Sequence, residues 1–182
     1  MKSPTILDHK IPISLGALAL TLAMIIGEYI NGGVVTHHLL ADDNLPGISN
    51  WWGLVTIPLL TWVVITLVQK RQSNIDIIGS NSKNDTKGIL NRFLGALIFG
   101  VLVSVFWELG LENILQYLIL LPVLIAFFRP VYLPECLLGF VYGMMYTFGG
   151  ILPILIGLVL TVLCFLAYKV IRRGVLFIIS KI

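Results

Sequence analysis

The residues best suited to chemistry lie close together in one polar stretch of an otherwise apolar chain. Glu28 is followed by two adjacent histidines, His37 and His38, and then by two adjacent aspartates, Asp42 and Asp43. Imidazole and carboxylate groups are the ligands that zinc and similar divalent metals accept in proteins. The same groups take up and release protons when burial or a nearby charge shifts their pKa values. This stretch is therefore the leading candidate for a site.

The spacing of these groups indicates which of them could share a metal. Adjacent side chains on a helix point about 100° apart, so His37 and His38 would share one ion only if their segment were irregular. His38 and Asp42 have the i, i+4 spacing that brings two ligands to one helix face, and Glu108 and Glu112 have it too. A divalent metal is thus the cofactor that the sequence suggests. The alternative is an ordinary solvated loop, because no recognised metal motif is present.

Four acids are candidates for binding a substrate or a proton: Glu28, Glu108, Glu112 and Asp43. Glu28 and Glu108 matter most, because each lies near the end of an apolar run. An ionisable group at membrane depth costs about 2.5–3.5 kcal/mol on insertion scales, so such groups tend to face a partner or water. The alternative is that both glutamates lie fully solvated at the level of the lipid head groups, where this cost disappears.

The composition shows the environment in which these groups act. Of 182 residues, 58% are hydrophobic and 12% are charged, whereas a soluble domain carries about 25% charged residues. A membrane-spanning helix needs about 20 mainly apolar residues. The sequence therefore predicts an all-α integral membrane protein. Uncharged runs cover residues 11–27, 44–69, 93–107, 113–128 and 136–168.

We predict six transmembrane helices, in three hairpins, within a single polytopic membrane domain. The last uncharged run would be about 50 Å long as one helix, against about 30 Å of hydrocarbon, so Gly149, Gly150 and Pro153 are expected to divide it. The polar segment 70–89 is predicted to be a mobile cytoplasmic loop. The predicted helices cover about 11–31, 51–69, 90–109, 113–128, 132–148 and 151–171.

The positions of the basic residues predict the orientation in the plasma (inner) membrane. With six crossings and both termini in the cytoplasm, all 12 lysines and arginines fall in cytoplasmic segments, as the positive-inside rule requires. The net charge of +3 therefore marks helix ends and is no indication of nucleic-acid binding. The same threading gathers the candidate acids and histidines on the outer face.

Two further features each have two interpretations. Gly139 and Gly143 form a GxxxG motif, which suits close packing within the chain, the preferred interpretation, or self-association between two copies. Glu135 lies at the start of a predicted helix, where its charge complements the positive end of the helix dipole. A link from Glu135 to Arg129, or a role as a cytoplasmic gate, is the alternative.

Three functional hypotheses follow. The leading one is a small transporter or permease-like protein in which Glu28 and Glu108 line an outward-facing pocket for a small molecule or ion, with residues 37–43 as its lid. The second is a membrane-embedded, metal-assisted enzyme that acts on a lipid-linked substrate at the outer leaflet. The third is an accessory subunit of a larger membrane complex. No nucleophile or nucleotide-binding motif accompanies the candidates, so no catalytic residue is assigned.

Overall fold

The computed structural model describes residues 9–38, 47–77 and 82–172, and these ranges are almost entirely helical. One short antiparallel pair of strands interrupts the helices, with Thr36 opposite Ser49 and His38 opposite Gly47. The predicted all-α class is confirmed for this part of the chain. The elements are α1 (Lys10–Ile30), β1 (Thr36–His38), β2 (Gly47–Ser49), a 3-10 turn (Asn50–Trp52), α2 (Gly53–Ile77), α3 (Ser82–Glu108), α4 (Glu112–Leu118), α5 (Leu121–Ala126), α6 (Pro134–Phe148), α7 (Ile151–Leu166) and a π-helical extension (Ala167–Ile171).

Four helical stretches are long and apolar enough to cross a membrane. A helix pairs its backbone N–H and C=O groups internally, which a lipid environment requires. Large apolar side chains such as Leu15, Leu59, Ile98 and Val159 are exposed on these stretches. By length and composition, the described chain is therefore compatible with insertion into a membrane. The four stretches are Lys10–Ile30, Asn50–Asn74, Thr86–Glu108 and Ile151–Ile171.

Helix α6 lies mostly buried and packs tightly on α3 because glycines allow the two backbones to approach. A Cβ at Gly139 would collide with the carbonyl oxygen of Phe93, and a Cβ at Gly143 would collide with that of Leu97. The Ser104 hydroxyl of α3 also donates a hydrogen bond to the Gly143 carbonyl oxygen at 3.3 Å. The GxxxG motif of α6 thus packs within a single chain in this structure, as the preferred interpretation expects.

Contacts at the two ends of the bundle give the direction of its central helices. Helices α3 and α6 run parallel. Arg92, in the third turn of α3, pairs with Glu135 in the first turn of α6. Near their ends the rings of Trp107 and Phe148 meet, with 5.2 Å between their centroids. Helix α7 returns from the turn that follows Phe148, so its last residues lie at the same end of the bundle as the Arg92–Glu135 pair.

Helices α1 and α2 run antiparallel to each other. Thr21 of α1 lies beside Gly53 at the start of α2, whereas the Lys10 Nζ atom at the start of α1 lies 4.6 Å from the ring centre of Trp62. Gly53 also lies beside Gly150, in the turn between α6 and α7. Helix α2 therefore starts at the end of the bundle where α6 stops, and it runs toward the start of α3.

The prediction of a loop over residues 70–89 is wrong for the residues that the structure describes there, because α2 continues to Ile77 and α3 begins at Ser82. Lys, Arg and Gln are good helix formers, so polarity alone does not end a helix. Contacts between the two helices support the extension, since the Gln72 Nε2 atom donates a hydrogen bond to the Thr86 hydroxyl at 3.4 Å.

The helix predicted over residues 113–128 is divided into α4 and α5 by a turn at Ile119 and Leu120. Pro122 is the cause, because proline has no backbone N–H to donate to the carbonyl oxygen four residues earlier, that of Leu118. At the break, the Val123 N–H donates to the Leu120 carbonyl oxygen instead, at 3.0 Å.

Candidate functional site

Glu28, the first of the predicted acids, holds the segment after α1 in place. Its Oε1 atom accepts a hydrogen bond from the Nδ2 atom of buried Asn50 at 2.7 Å. Its Oε2 atom accepts one from the backbone N–H of Val35 at 3.1 Å. Val35 precedes β1 and Asn50 follows β2, so the carboxylate ties both strands to the last turns of α1. Binding of a substrate or a proton by Glu28 stays a prediction.

Glu108 and Glu112 are both exposed and lie on either side of the turn between α3 and α4. Gly110 makes this turn with φ +69°, a backbone conformation that glycine adopts readily. The turn lies at the end of the bundle where α2 starts, which is also the end that carries Glu28. The structure thus gathers these three acids at one end. It does not bring them together as a group that could hold a metal.

The histidines and aspartates are described only in part. The backbone of His37 and His38 lies in β1, so the helical spacing predicted for His38 and Asp42 does not apply at His38. Asp42, Asp43 and the side chains of both histidines lie outside the described residues. Within the part that is described, no three His, Cys, Asp or Glu side chains are placed to hold a metal ion. The metal site stays a prediction.

A buried ion-pair cluster at the opposite end of the bundle was not predicted. Glu135, in the first turn of α6, has a side chain that is 3% exposed. Its Oε1 atom accepts hydrogen bonds from the Nη2 atom of Arg71 at 2.8 Å and the Nε atom of Arg92 at 2.7 Å. Its Oε2 atom accepts one from the Arg71 Nη1 atom at 3.1 Å. We call Arg71, Glu135 and Arg92 the arginine–glutamate triad.

The triad joins three helices, since its members come from α2, α3 and α6. A carboxylate out of water costs several kcal/mol unless charged partners and hydrogen bonds compensate it. Arg71 supplies two parallel N–H donors, the bidentate geometry that a carboxylate prefers. The two guanidinium groups exceed the one carboxylate, so the triad carries one net positive charge. Among the described residues Glu135 does not pair with Arg129, the partner that the sequence suggested as an alternative.

The triad is part of a larger group of cations that we call the basic end of the bundle. It comprises the last turns of α2, the first turns of α3, the end of α5 and the end of the π-helical extension. The lysines and arginines at this end whose side chains the structure describes are Lys70, Arg71, Lys87, Arg92, Arg129, Lys169 and Arg172.

A cavity of about 450 Å³ lies beside the triad, between α3, α5, α6 and α7. This volume falls within the range of about 300–1,000 Å³ that is typical of small-molecule sites. Its walls are largely apolar, with Phe99, Leu137, Phe140 and Leu160 among the lining side chains. At the basic end its rim is polar.

Helix α5, which begins after the break, forms one wall of this cavity through Pro122 and Ile125. Helix α4 makes its main contact with α3, and α5 makes its main contact with α7. The cavity lies between α5 and α3. Gly95 of α3 and Ile125 of α5 line it from opposite sides and are both exposed. The cavity is therefore open to the surroundings of the bundle between these two helices.

The polar groups of the cavity lie at its rim. Arg92, Arg129 and the exposed Asn91 line it near the basic end. The hydroxyl of Thr161, which also lines it, is already used, since it donates a hydrogen bond to the Gly157 carbonyl oxygen at 2.7 Å. An apolar chamber with a polar rim suits a molecule that has an apolar chain and a polar head group.

Comparisons with family models, curated proteins and solved structures find no match to this chain.

Proposed function

We propose that the chain is a multi-pass protein of the plasma (inner) membrane, that it crosses the bilayer six times with both termini in the cytoplasm, and that it binds a membrane lipid in the cavity at its basic end. The observation that carries the proposal is the cavity itself. It combines apolar walls, a polar rim and an opening between α3 and α5.

The directions of the helices support six crossings. Helices α1 and α2 are antiparallel, α3 and α6 are parallel, and α7 returns from the end of α6. Helices α4 and α5 together lead from the end of α3 back to the basic end, which an alternating path requires. Helix α6 has 15 residues, fewer than the roughly 20 that a helix needs against lipid. However, it contacts α2, α3 and α7, so protein surrounds much of it.

The distribution of charge supports the orientation. Seven described lysines and arginines lie at the basic end, whereas Glu28, Glu108 and Glu112 lie at the other. Cytoplasmic segments of membrane proteins carry the excess of lysine and arginine. The basic end is therefore proposed to face the cytoplasm, and the rim of the cavity would then lie at the level of the inner-leaflet head groups.

Lipid is the proposed ligand because the cavity opens where lipid would surround the bundle. A soluble ligand would have to reach apolar walls through the bilayer, whereas a lipid chain can enter sideways between α3 and α5. Transfer of a lipid chain from bilayer to cavity brings no hydrophobic gain, so packing and head-group contacts must supply the affinity. The polar rim is placed to supply these contacts.

The experiment fills the cavity without disturbing the bundle. A Cβ at Gly95 would meet no atom within 4 Å, so Gly95→Leu should place its side chain in the open space of the cavity. We expect several-fold less lipid to co-purify with this variant than with the wild-type chain, as measured by native mass spectrometry. The matched control is Gly16→Leu in α1, where a Cβ also meets nothing within 4 Å and no cavity wall is involved.

Equal lipid on both glycine variants, or none on the wild-type chain, would refute lipid binding in the cavity. Transport through an outward-facing pocket, metal-assisted catalysis at the outer leaflet and an accessory role in a larger complex stay predictions. Glu28 and Glu108 lie at the end of the bundle opposite the basic end. The transport and enzyme hypotheses both require these glutamates at that end. No described contact between these glutamates favours either hypothesis.

A further inference from the structure

We infer that the bound lipid has an anionic phosphate head group and that Arg129 is the residue that selects it. This inference rests on the proposed lipid binding and adds the class of lipid and the contact that recognises it.

The charged side chains on the described wall of the cavity have one sign. Arg92 and Arg129 line it, and no aspartate or glutamate does. The carboxylate of Glu135 pairs with Arg92 in the triad and does not line the cavity. Two guanidinium groups beside an apolar chamber create a positive potential that low polarity strengthens. A zwitterionic head group would place its own cation in this potential, whereas an anionic one would not.

Arg129 is placed to meet a head group. It lies three residues after the end of α5, and two hydrogen bonds fix its backbone. Its N–H donates to the Ile125 carbonyl oxygen at 2.9 Å, and its carbonyl oxygen accepts from the Val131 N–H at 2.9 Å. Pro130 follows and restricts the chain further. The side chain is exposed and forms no ion pair with a residue that the structure describes. Its guanidinium is therefore available at the rim.

Arg92 differs from Arg129 because the triad holds it. Its Nε atom donates to Glu135 at 2.7 Å, which orients the guanidinium on the cavity wall. It therefore contributes positive potential from a fixed position. Phosphate suits this pair better than a point-like anion, because guanidinium donors match its oxygens in a bidentate fashion.

The lipid itself, and no free phosphate ion, is the proposed source of the anion. The rim continues directly into a chamber of about 450 Å³ with apolar walls. A free anion would occupy the rim and leave that chamber without an apolar occupant. A phospholipid satisfies both parts at once, with its phosphate at Arg129 and an acyl chain along Phe99 and Phe140.

The test presents the full-length chain in detergent with an equimolar mixture of phosphatidylglycerol and phosphatidylcholine that have the same acyl chains. Native mass spectrometry counts each bound lipid. We expect the wild-type chain to retain more phosphatidylglycerol. We expect Arg129→Gln to bind phosphatidylglycerol about five-fold more weakly, since one basic residue near an anionic surface contributes about 1 kcal/mol, with phosphatidylcholine unchanged.

Three controls make the result specific. Arg129→Lys keeps the charge and should keep the preference. Arg172→Gln removes a cation at the same end of the bundle. Arg172 does not line the cavity, and its guanidinium carbon lies 4.9 Å from the ring centre of Tyr168. This variant should therefore keep the wild-type preference for phosphatidylglycerol. Excess inorganic phosphate should not displace the lipid.

The outcomes separate this inference from the proposed function. Equal retention of the two lipids by the wild-type chain, or an unchanged preference in Arg129→Gln, would overturn the inference and leave lipid binding intact. Displacement by inorganic phosphate would overturn it in favour of a free-anion site. Absence of both lipids from the wild-type chain would overturn the proposed function as well.

Discussion

The Glu135 carboxylate shows how a single buried charge can hold three helices together. It has partners on α2 and α3, and it lies in the first turn of α6, where its charge also complements the helix dipole. The dipole alone would be satisfied by a solvated carboxylate. Burial to 3% exposure requires the two arginines, so the dominant role of Glu135 is to tie these helices together.

Replacing Glu135 with alanine should destabilise the bundle. The substitution leaves two adjacent guanidinium groups, 27% and 28% exposed, without their carboxylate. Breaking a buried pair in this way costs about 3–5 kcal/mol, and partial exposure of the arginines favours the lower value. We expect the melting temperature in detergent, followed by circular dichroism, to fall by roughly 10 °C.

Glu112→Ala is the matched control for this measurement, because Glu112 is an exposed glutamate in the first turn of α4. Its removal should cost less than about 1 kcal/mol, the usual size of an exposed charge–dipole interaction. If Glu135→Ala melted at the same temperature as Glu112→Ala, the triad would not be holding the helices.

The triad could not be predicted from the sequence, although each of its residues was visible. Glu135 is separated from Arg71 by 64 positions and from Arg92 by 43, and no local spacing relates residues so distant. One signal was available: Arg71 lies at the start of the segment predicted as a loop and Arg92 lies just after it, so a short connection would bring them together. A mobile loop, by contrast, fixes no distance between the two arginines.

At the scale of elements, the sequence predicted where helices occur better than where they end. The first predicted helix, 11–31, corresponds to α1, and the last, 151–171, corresponds to α7 with its π-helical extension. Both helices coincide with long, continuous apolar runs, and a run of this length predicts a membrane-spanning helix. The extended ends of α2 and α3 are polar and depend on contacts between the helices, so hydrophobicity could not indicate them.

The contact between α3 and α6 depends on glycine and gives a prediction at this scale. In Gly143→Ala the added methyl group would lie 2.8 Å from the Cα atom of Gly100, so the helices must separate. Overpacking of this kind costs about 1–3 kcal/mol. We expect the melting temperature of the purified chain to fall by several degrees.

The same exchange at Gly16 provides the comparison. A Cβ there meets no atom within 4 Å, and alanine favours a helix over glycine by about 1 kcal/mol. Gly16→Ala should therefore melt at or above the wild-type temperature. A Gly143→Ala variant as stable as Gly16→Ala would show that the α3–α6 approach is not limited by the missing side chain.

At the scale of the whole molecule, the two ends of the bundle differ both in charge and in the presence of the cavity rim. Seven of the eight lysines and arginines whose side chains the structure describes lie at one end with the triad and the rim of the cavity, and three of the four such glutamates lie at the other. The sequence predicted this asymmetry from charge alone. It did not predict the cavity, because residues of four separate helices line it and it therefore depends on tertiary contacts.

Lipid binding at the inner leaflet requires that the basic end face the cytoplasm, and cysteine labelling in intact cells tests this most directly. Lys87 lies at the basic end and Glu112 at the opposite end, and both are exposed. Each is replaced by cysteine in a chain whose buried Cys136 and Cys164 are changed to alanine. We expect a membrane-impermeant maleimide to label Glu112→Cys in intact cells and Lys87→Cys only after lysis. Labelling of Lys87→Cys in intact cells, or of neither position until lysis, would contradict the orientation and place the cavity rim away from the inner leaflet.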